Sequence, residues 1–213
     1  MKRKIILITI ALIILGIGIS EVTALDNAET TANDILNNNN DNSDVLVVYF
    51  SRTGENYNVG NVEVGNTAMV ASYIKEYLKC DSFEIVPVDK YPDNYDECTN
   101  LASKEKEDNA RPKIADKIDN FDSYKTVFVG YPIWWGDLPM IMYTFLEEYD
   151  FDGKTVIPFN THEESGDAGT CTTIQEKLPK ATVKTNGLAL DGKTARSDDG
   201  KQQTIDWLKG LGY

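Results

Sequence analysis

Histidine is almost missing from this chain: His162 is the only one in 213 residues. The three cysteines, Cys80, Cys98 and Cys171, form no CxxC or CxxxC pair. These two shortages argue against a zinc site, which draws on clustered thiolates and imidazoles. Nor do three cysteines support a disulfide framework. One bridge, Cys80 to Cys98, stays open in an oxidising compartment and would leave Cys171 unpaired. No G-x-x-x-x-G-K-[ST] occurs, which disfavours a nucleoside triphosphatase, and no G-x-G-x-x-G follows a strand, so the dinucleotide fingerprint is absent. Positive charge is scarce as well: 21 Lys and Arg face 34 Asp and Glu, a formal charge of −13. Without residues 1–24 the balance is 18 basic against 33 acidic residues, or −15. A body so acidic repels phosphate backbones and anionic lipid, so nucleic acid is not an expected partner. It suits a basic protein partner, or simply a well-solvated surface.

Long hydrophobic runs are limited to one. Lys2-Arg3-Lys4 precedes Ile5 to Ile19, in which only Thr9 is polar, and Ser20 to Ala24 follows. Basic start, apolar middle and small-residue end form a secretory signal, with cleavage expected after Ala24. The protein is therefore expected to be exported, or extracytoplasmic. The run is shorter than the roughly 20 residues of a spanning helix, though an uncleaved membrane tether through residues 5–19 is a competing reading. No cysteine follows to carry a lipid. Leu25 to Asp44, rich in Asn and Asp, has little to bury and reads as a disordered polar spacer.

From Val45 onward strands and helices alternate. Apolar runs at Val45–Phe50, Phe83–Val88, Thr126–Tyr131 and Thr155–Phe159 read as buried strands, and 181–190 is the last strand region. Helical spacing marks 67–79, where Val70, Ile74, Tyr77 and Leu78 share a face, and also 138–149, 170–178 and 199–211. Residues 92–120 hold a helical stretch interrupted near Arg111-Pro112. This is one α/β domain, 45–213, with a parallel sheet covered on both sides. Ligands in such sheets bind beyond the carboxyl ends of the strands.

Three segments follow strand ends. Ser51-Arg52-Thr53-Gly54 offers hydroxyls and amides, and a helix opens at Gly65-Asn66-Thr67; strand, hydroxyl loop and helix N-terminus together suit a phosphate monoester. Gly130 to Asp137, with Tyr131, Trp134 and Trp135, offers flat aromatic faces to a conjugated ring. Thr161 to Gly166 contains His162, a candidate to meet the anionic edge of a reduced ring or to hydrogen-bond a hydride acceptor. No Ser-His-Asp set or paired-carboxylate signal stands out among so many acids.

These residues resemble the flavodoxin superfamily. VVYFSRTG is similar to its phosphate loop, GYPIWWGDLP to its flavin-ring loop and THEESG to its third flavin-contacting loop. The likeness spans 45–211 and looks closest to a branch in which an insertion, here Glu55 to Val64, splits the phosphate loop. The resemblance implies a flavodoxin-like three-layer sandwich, a five-stranded parallel sheet of order 2-1-3-4-5, and noncovalent FMN. By carry-over, Ser51, Thr53, Gly54, Asn66 and Thr67 hold the phosphate, with Arg52 in the same loop. Pro132, Ile133, Trp134, Trp135 and Gly136 contact the ring, as do Thr161, His162, Ser165 and Gly166. Glu163 and Glu164 stand where related loops more often have glycine, and inward-pointing carboxylates would lower the flavin's potential.

The expected function is electron transfer through FMN, with a redox partner protein or a small quinone-like acceptor. An NAD(P)H-dependent quinone-type reductase is the alternative. A non-enzymatic surface binding protein with little or no flavin is a third reading, and a homodimer paired through the aromatic loops stays open.

Overall fold

A computed structural model describes residues 42–213; the signal segment and nearly all of the spacer lie outside the described residues. The first described residues are already tied to the domain. Asn42 Nδ2 donates to the Leu78 carbonyl at 2.7 Å, and the Asp44 carbonyl accepts from the amides of Lys125 and Thr126.

In chain order the elements are β1 (Val45–Tyr49), a hairpin of β2 (Gly54–Asn56) and β3 (Gly60–Val62), α1 (Asn66–Leu78), β4 (Asp81–Glu84) and α2 (Tyr95–Glu107). Then come a 3-10 turn at Phe121–Ser123, β5 (Thr126–Pro132), α3 (Met140–Glu148), β6 (Thr155–His162), α4 (Thr170–Lys177), β7 (Thr182–Val183) and β8 (Leu188–Asp191). The short α5 (Gly192–Ala195) and the long α6 (Asp198–Leu211) close the chain. The main sheet runs β4-β1-β5-β6-β7, with β8 also on β6, and every ladder in it is parallel. This is the 2-1-3-4-5 order, its fifth position shared by two short strands. The break between them lies beside Pro158, which has no N–H for a ladder; a Cβ on Gly187 would stand 2.6 Å from the Pro158 carbonyl oxygen.

Period-two alternation along the buried strands splits the core into two. Leu46, Val48, Phe50, Val127, Val129 and Tyr131 face one layer; Val45, Val47, Phe128, Ile157 and Phe159 face the other, against α1 and α6. Cys98 belongs to the first layer and Cys80 to the second, so the sheet stands between them. All three cysteines are free and buried.

Several boundaries differ from the sequence expectation, among them that of β6, which runs past Phe159 so that Thr161 and His162 are strand residues. The second strand is Asp81–Glu84, and residues 86–88 instead pair antiparallel with 113–115 across the Pro87–Ile114 bridge. α2 stops at Glu107, where Asn109 takes a left-handed φ of 49° and the Ala110 and Asn109 amides bond back to the Glu105 and Lys106 carbonyls. Arg111 then forms an ion pair with Glu147 at 2.7 Å and covers the Tyr143 ring, fastening this return segment to α3. Within the insertion, the chain forms the β2–β3 hairpin.

Candidate cofactor site

The hairpin begins four residues after Phe50, yet it does not separate the loop from the helix. Gly65 brings the chain back against Ser51 and Arg52 so closely that a Cβ there would lie under 3.0 Å from the Ser51 hydroxyl and the Arg52 carbonyl. The Ser51 hydroxyl accepts from the amide of Ala68, in the first turn of α1, at 3.0 Å. The helix has no side-chain cap at Gly65 and no acidic residue in its first turn. α2 and α6 differ: each carries two acids there, Asp96 with Glu97 and Asp198 with Asp199, which complement the positive helix end. The first turn of α1 lacks that complement. Asn66 and Thr67, its first two residues, are buried.

Thr67 also joins the first loop to the end of β6, where the third segment begins. Its hydroxyl meets that of Thr161 at 2.8 Å in a buried contact. The second loop turns tightly: Trp134 and Asp137 exchange two backbone hydrogen bonds, and both Trp135 and Gly136 have positive φ, 52° and 69°. That conformation is ordinary for Gly and strained for a bulky aromatic residue. The turn is held from outside, because Lys106 Nζ donates to the Trp135 carbonyl and the Trp135 indole donates to the Thr99 carbonyl at 3.0 Å. Trp134 packs edge-on against Phe50 and Tyr91, whereas Trp135 is 57% exposed.

These loops enclose one cleft of about 330 Å³, within the range of small-molecule sites. Of the residues singled out in the sequence, Ser51, Arg52, Asn66 and Thr67 line it, as do Pro132 to Trp135, Thr161 and His162. Thr53, Gly54, Gly136, Ser165 and Gly166 do not. Gly54 lies in β2 with φ 85°, and a Cβ on it would come within 2.7 Å of the Asp93 carbonyl oxygen, so it serves the hairpin's approach to the 92–94 loop. The Arg52 guanidinium donates to the carbonyls of Glu55, Pro92, Asp93 and Asn94. Its charge is committed to fastening that hairpin.

Sequence reasoning missed part of the wall. Tyr57, from the insertion, stacks on Tyr95 at 5.8 Å between centroids, and both line the cleft beside Cys98, Thr99 and Ala102. Two isolated tyrosines in polar segments carried no periodic signal; only the hairpin's fold-back makes them a pair. Glu163 lines the cleft too, in contact with the insertion through Asn58. Burial first of all pushes its carboxyl up, and Asp191 nearby adds to this, while hydrogen bonds from Asn58 and the Gly192 amide oppose it. Burial likewise pushes the Cys98 thiol up and keeps it neutral. Among the described residues there is no cluster of His, Cys, Asp or Glu fit to hold a metal ion.

Uncommitted helix-end amides with hydroxyls at one end and aromatic faces at the other fit a phosphorylated planar ring. The chain matches the flavodoxin family model over residues 44–209 and belongs to that family. Similar solved structures include a flavoprotein from Bacteroides eggerthii, 30% identical with a TM-score of 0.64, covering 81% of this chain and 99% of its own. A Bacteroides uniformis flavoprotein is 29% identical with a TM-score of 0.62, covering 78% and 98%. A Lactobacillus acidophilus flavoprotein solved in complex with FMN shares the fold at 21% identity and a TM-score of 0.54, covering 72% and 97%. No curated protein matches the chain.

Proposed function

We propose that this is an exported flavodoxin-family protein that binds FMN noncovalently in the cleft and passes electrons to a partner protein. One observation carries the reading. The Thr67–Thr161 hydroxyl contact at 2.8 Å draws the phosphate-type loop and the third loop to one point, and the cleft they share is walled by Trp134 and Trp135. The Asn66 and Thr67 amides at the start of α1, with the Ser51 hydroxyl and the Asn66 and Thr67 side chains, hold the phosphate. Trp134, Trp135, Tyr95 and Tyr57 flank the ring, and the Pro132 to Trp135 backbone and Thr161 hold its polar edge. Bound FMN supplies the one- and two-electron redox chemistry. Residues 1–24 support export, and the charge of −15 beyond them favours a basic protein as partner.

The first test is the absorption spectrum of freshly purified protein, with identification of the released cofactor. Yellow protein releasing FMN is expected; colourless protein that stays so after FMN is added overturns the reading and leaves a non-enzymatic binding protein. Stopped-flow mixing with NADH and NADPH separates the redox roles. Flavin bleaching faster than about 1 s⁻¹, an ordinary turnover scale, would replace the carrier with a quinone-type reductase.

A further inference from the structure

Among the described residues, the buried side-chain polar atoms with no hydrogen-bond partner are three: Nδ2 and Oδ1 of Asn160, and Nδ1 of His162. All three lie on β6, on residues two apart, so both side chains point to the same face of the sheet. An unpaired buried amide costs about 1–3 kcal/mol for each group left unmet. Such a group in a folded protein calls for an explanation.

The flanking strands do not supply the partners. Asn160 lies in register between Tyr131 and Ala189. The Tyr131 hydroxyl is taken by Thr170 at 2.9 Å, and Ala189 has nothing to offer. His162 lies in register with Asp191, whose carboxylate caps α5 through the amides of Lys193 and Thr194 and the Thr194 hydroxyl. Among the described residues, the other buried unpaired group is for each its neighbour two positions along β6. Residues two apart on a strand have their side-chain origins about 6.6 Å apart. One water accepting from one group and donating to the other spans about 5.6 Å.

We infer that Asn160 is the positioning residue of His162: through one internal water, its carboxamide holds the ring's inner nitrogen, so that the outer nitrogen is presented to the cleft. His162 lines that cleft, and Nε2 is not among its buried unpaired atoms. The carboxamide Nδ2 donates to the water, and the water donates to an unprotonated Nδ1, which leaves the ring proton on the outer nitrogen. Fixing one imidazole nitrogen fixes the tautomer and the rotation of the ring, and so the hydrogen bond that the other nitrogen makes. The charged groups facing His162 are Glu163, next to it in the third loop, and Asp191 across the ladder. The inference rests on the flavin reading only for what the outer nitrogen meets.

A single histidine makes the test clean, since ¹⁵N-histidine labelling of the protein as purified reports one ring. Wild type is expected to show one dominant tautomer, with a long-lived water cross-peak to the Asn160 side-chain amide protons. In Asn160→Leu, similar in size and without polar atoms, the tautomer ratio should fall at least about tenfold, equivalent to roughly 1.4 kcal/mol. Asn160→Ser, which keeps a hydroxyl, should fall between. Unchanged ring shifts in a folded Asn160→Leu overturn the inference. Should that variant not fold, the wild-type water cross-peak decides, and its absence overturns the inference. A colourless protein would sink the FMN reading while leaving the ring measurement valid.

Discussion

Gly65→Ala isolates the contact on which the phosphate end of the site depends. Backbone strain is not the issue, because Gly65 has φ −70° and ψ 159°, a conformation open to any residue. Space is. The new Cβ would stand under 3.0 Å from the Ser51 hydroxyl, the Arg52 carbonyl oxygen and the Arg52 carbonyl carbon, the last at 2.9 Å. The carbonyl is backbone and cannot swing aside, so the Ser51–Arg52 segment must retreat by roughly 1 Å to restore contact distance. Overpacking of this kind costs about 1–3 kcal/mol. Retreat also breaks the bond from the Ala68 amide to the Ser51 hydroxyl, worth about 1 kcal/mol as a helix cap. Part of that sum appears as lost stability and part as lost affinity, because the loop and the helix end no longer close around one phosphate. The expected result is a 10- to 100-fold rise in the FMN dissociation constant, about 1.4–2.8 kcal/mol, with a melting temperature lower by several degrees. Fluorescence titration of FMN with apoprotein measures the first and thermal unfolding the second. Gly210→Ala is the control: nothing lies within 4 Å of its added Cβ, and it sits in α6. It should leave binding unchanged and be neutral or stabilising by up to about 1 kcal/mol. Binding by Gly65→Ala within twofold of wild type would refute the claim that this close approach builds the phosphate site.

Glu163→Gln removes a carboxylate that lines the cleft, and should raise the flavin's midpoint potential at neutral pH by roughly tens of millivolts in a potentiometric titration. Burial raises the Glu163 carboxyl, so the difference from wild type should shrink as pH falls through that raised value and the wild-type group is neutralised. Asp191 behaves in the opposite sense: hydrogen bonds from the Thr194 hydroxyl and amide hold its carboxyl below the usual range. Its contribution is therefore full above the ordinary carboxylate range and lost as pH falls. Asp191→Ala should cost about 1 kcal/mol at pH 7 in urea denaturation, with the gap narrowing toward pH 3. Trp134→Ala, which empties an edge-on aromatic cluster with Phe50 and Tyr91, should destabilise by about 3–5 kcal/mol. Trp135→Gly should differ: the turn accepts glycine at φ 52°, so stability should change by less than about 1 kcal/mol while FMN affinity falls.

The centre of the sheet was legible because β1, β5 and β6 are buried on both faces, whereas the edge strand β4 is largely exposed. Runs such as Val45–Phe50 and Thr126–Tyr131 have no other way to hide that much apolar surface, and the hydroxyls and aromatics that follow them must then lie at one edge. Edges of elements were less legible. Residues 86–88, an expected strand end, and 113–115, in an expected helical stretch, pair as extended segments on either side of the Pro87–Ile114 bridge, and the helix itself ends just before the left-handed Asn109. The insertion was the hardest part. Nothing in ENYNVGNVEVG says that Gly54 leaves the loop for a hairpin, that Arg52 is spent on four carbonyls, or that Tyr57 comes to rest on Tyr95. Each depends on a contact with the 92–97 region some forty residues away, and so on tertiary geometry.

That same insertion explains how Glu163 is tolerated in the third loop. Glu163 is not left bare beside the cleft: Asn58, at the tip of the hairpin, and the Gly192 amide at the start of α5 both donate to it. A Cβ on Gly192 would come within 2.5 Å of Asn66 Nδ2 and 2.6 Å of Glu163 Oε1, so glycine there is what lets the third loop, α5 and the α1 N-terminus crowd together. The hairpin and the carboxylate therefore form one unit, and removing either alone exposes the other's unpaired groups. Replacing residues 55–64 by a direct junction should then weaken FMN binding through loss of the Tyr57–Tyr95 wall, and a paired Glu163→Gly change should recover part of that loss. No recovery in the double variant would mean that the hairpin and Glu163 act independently.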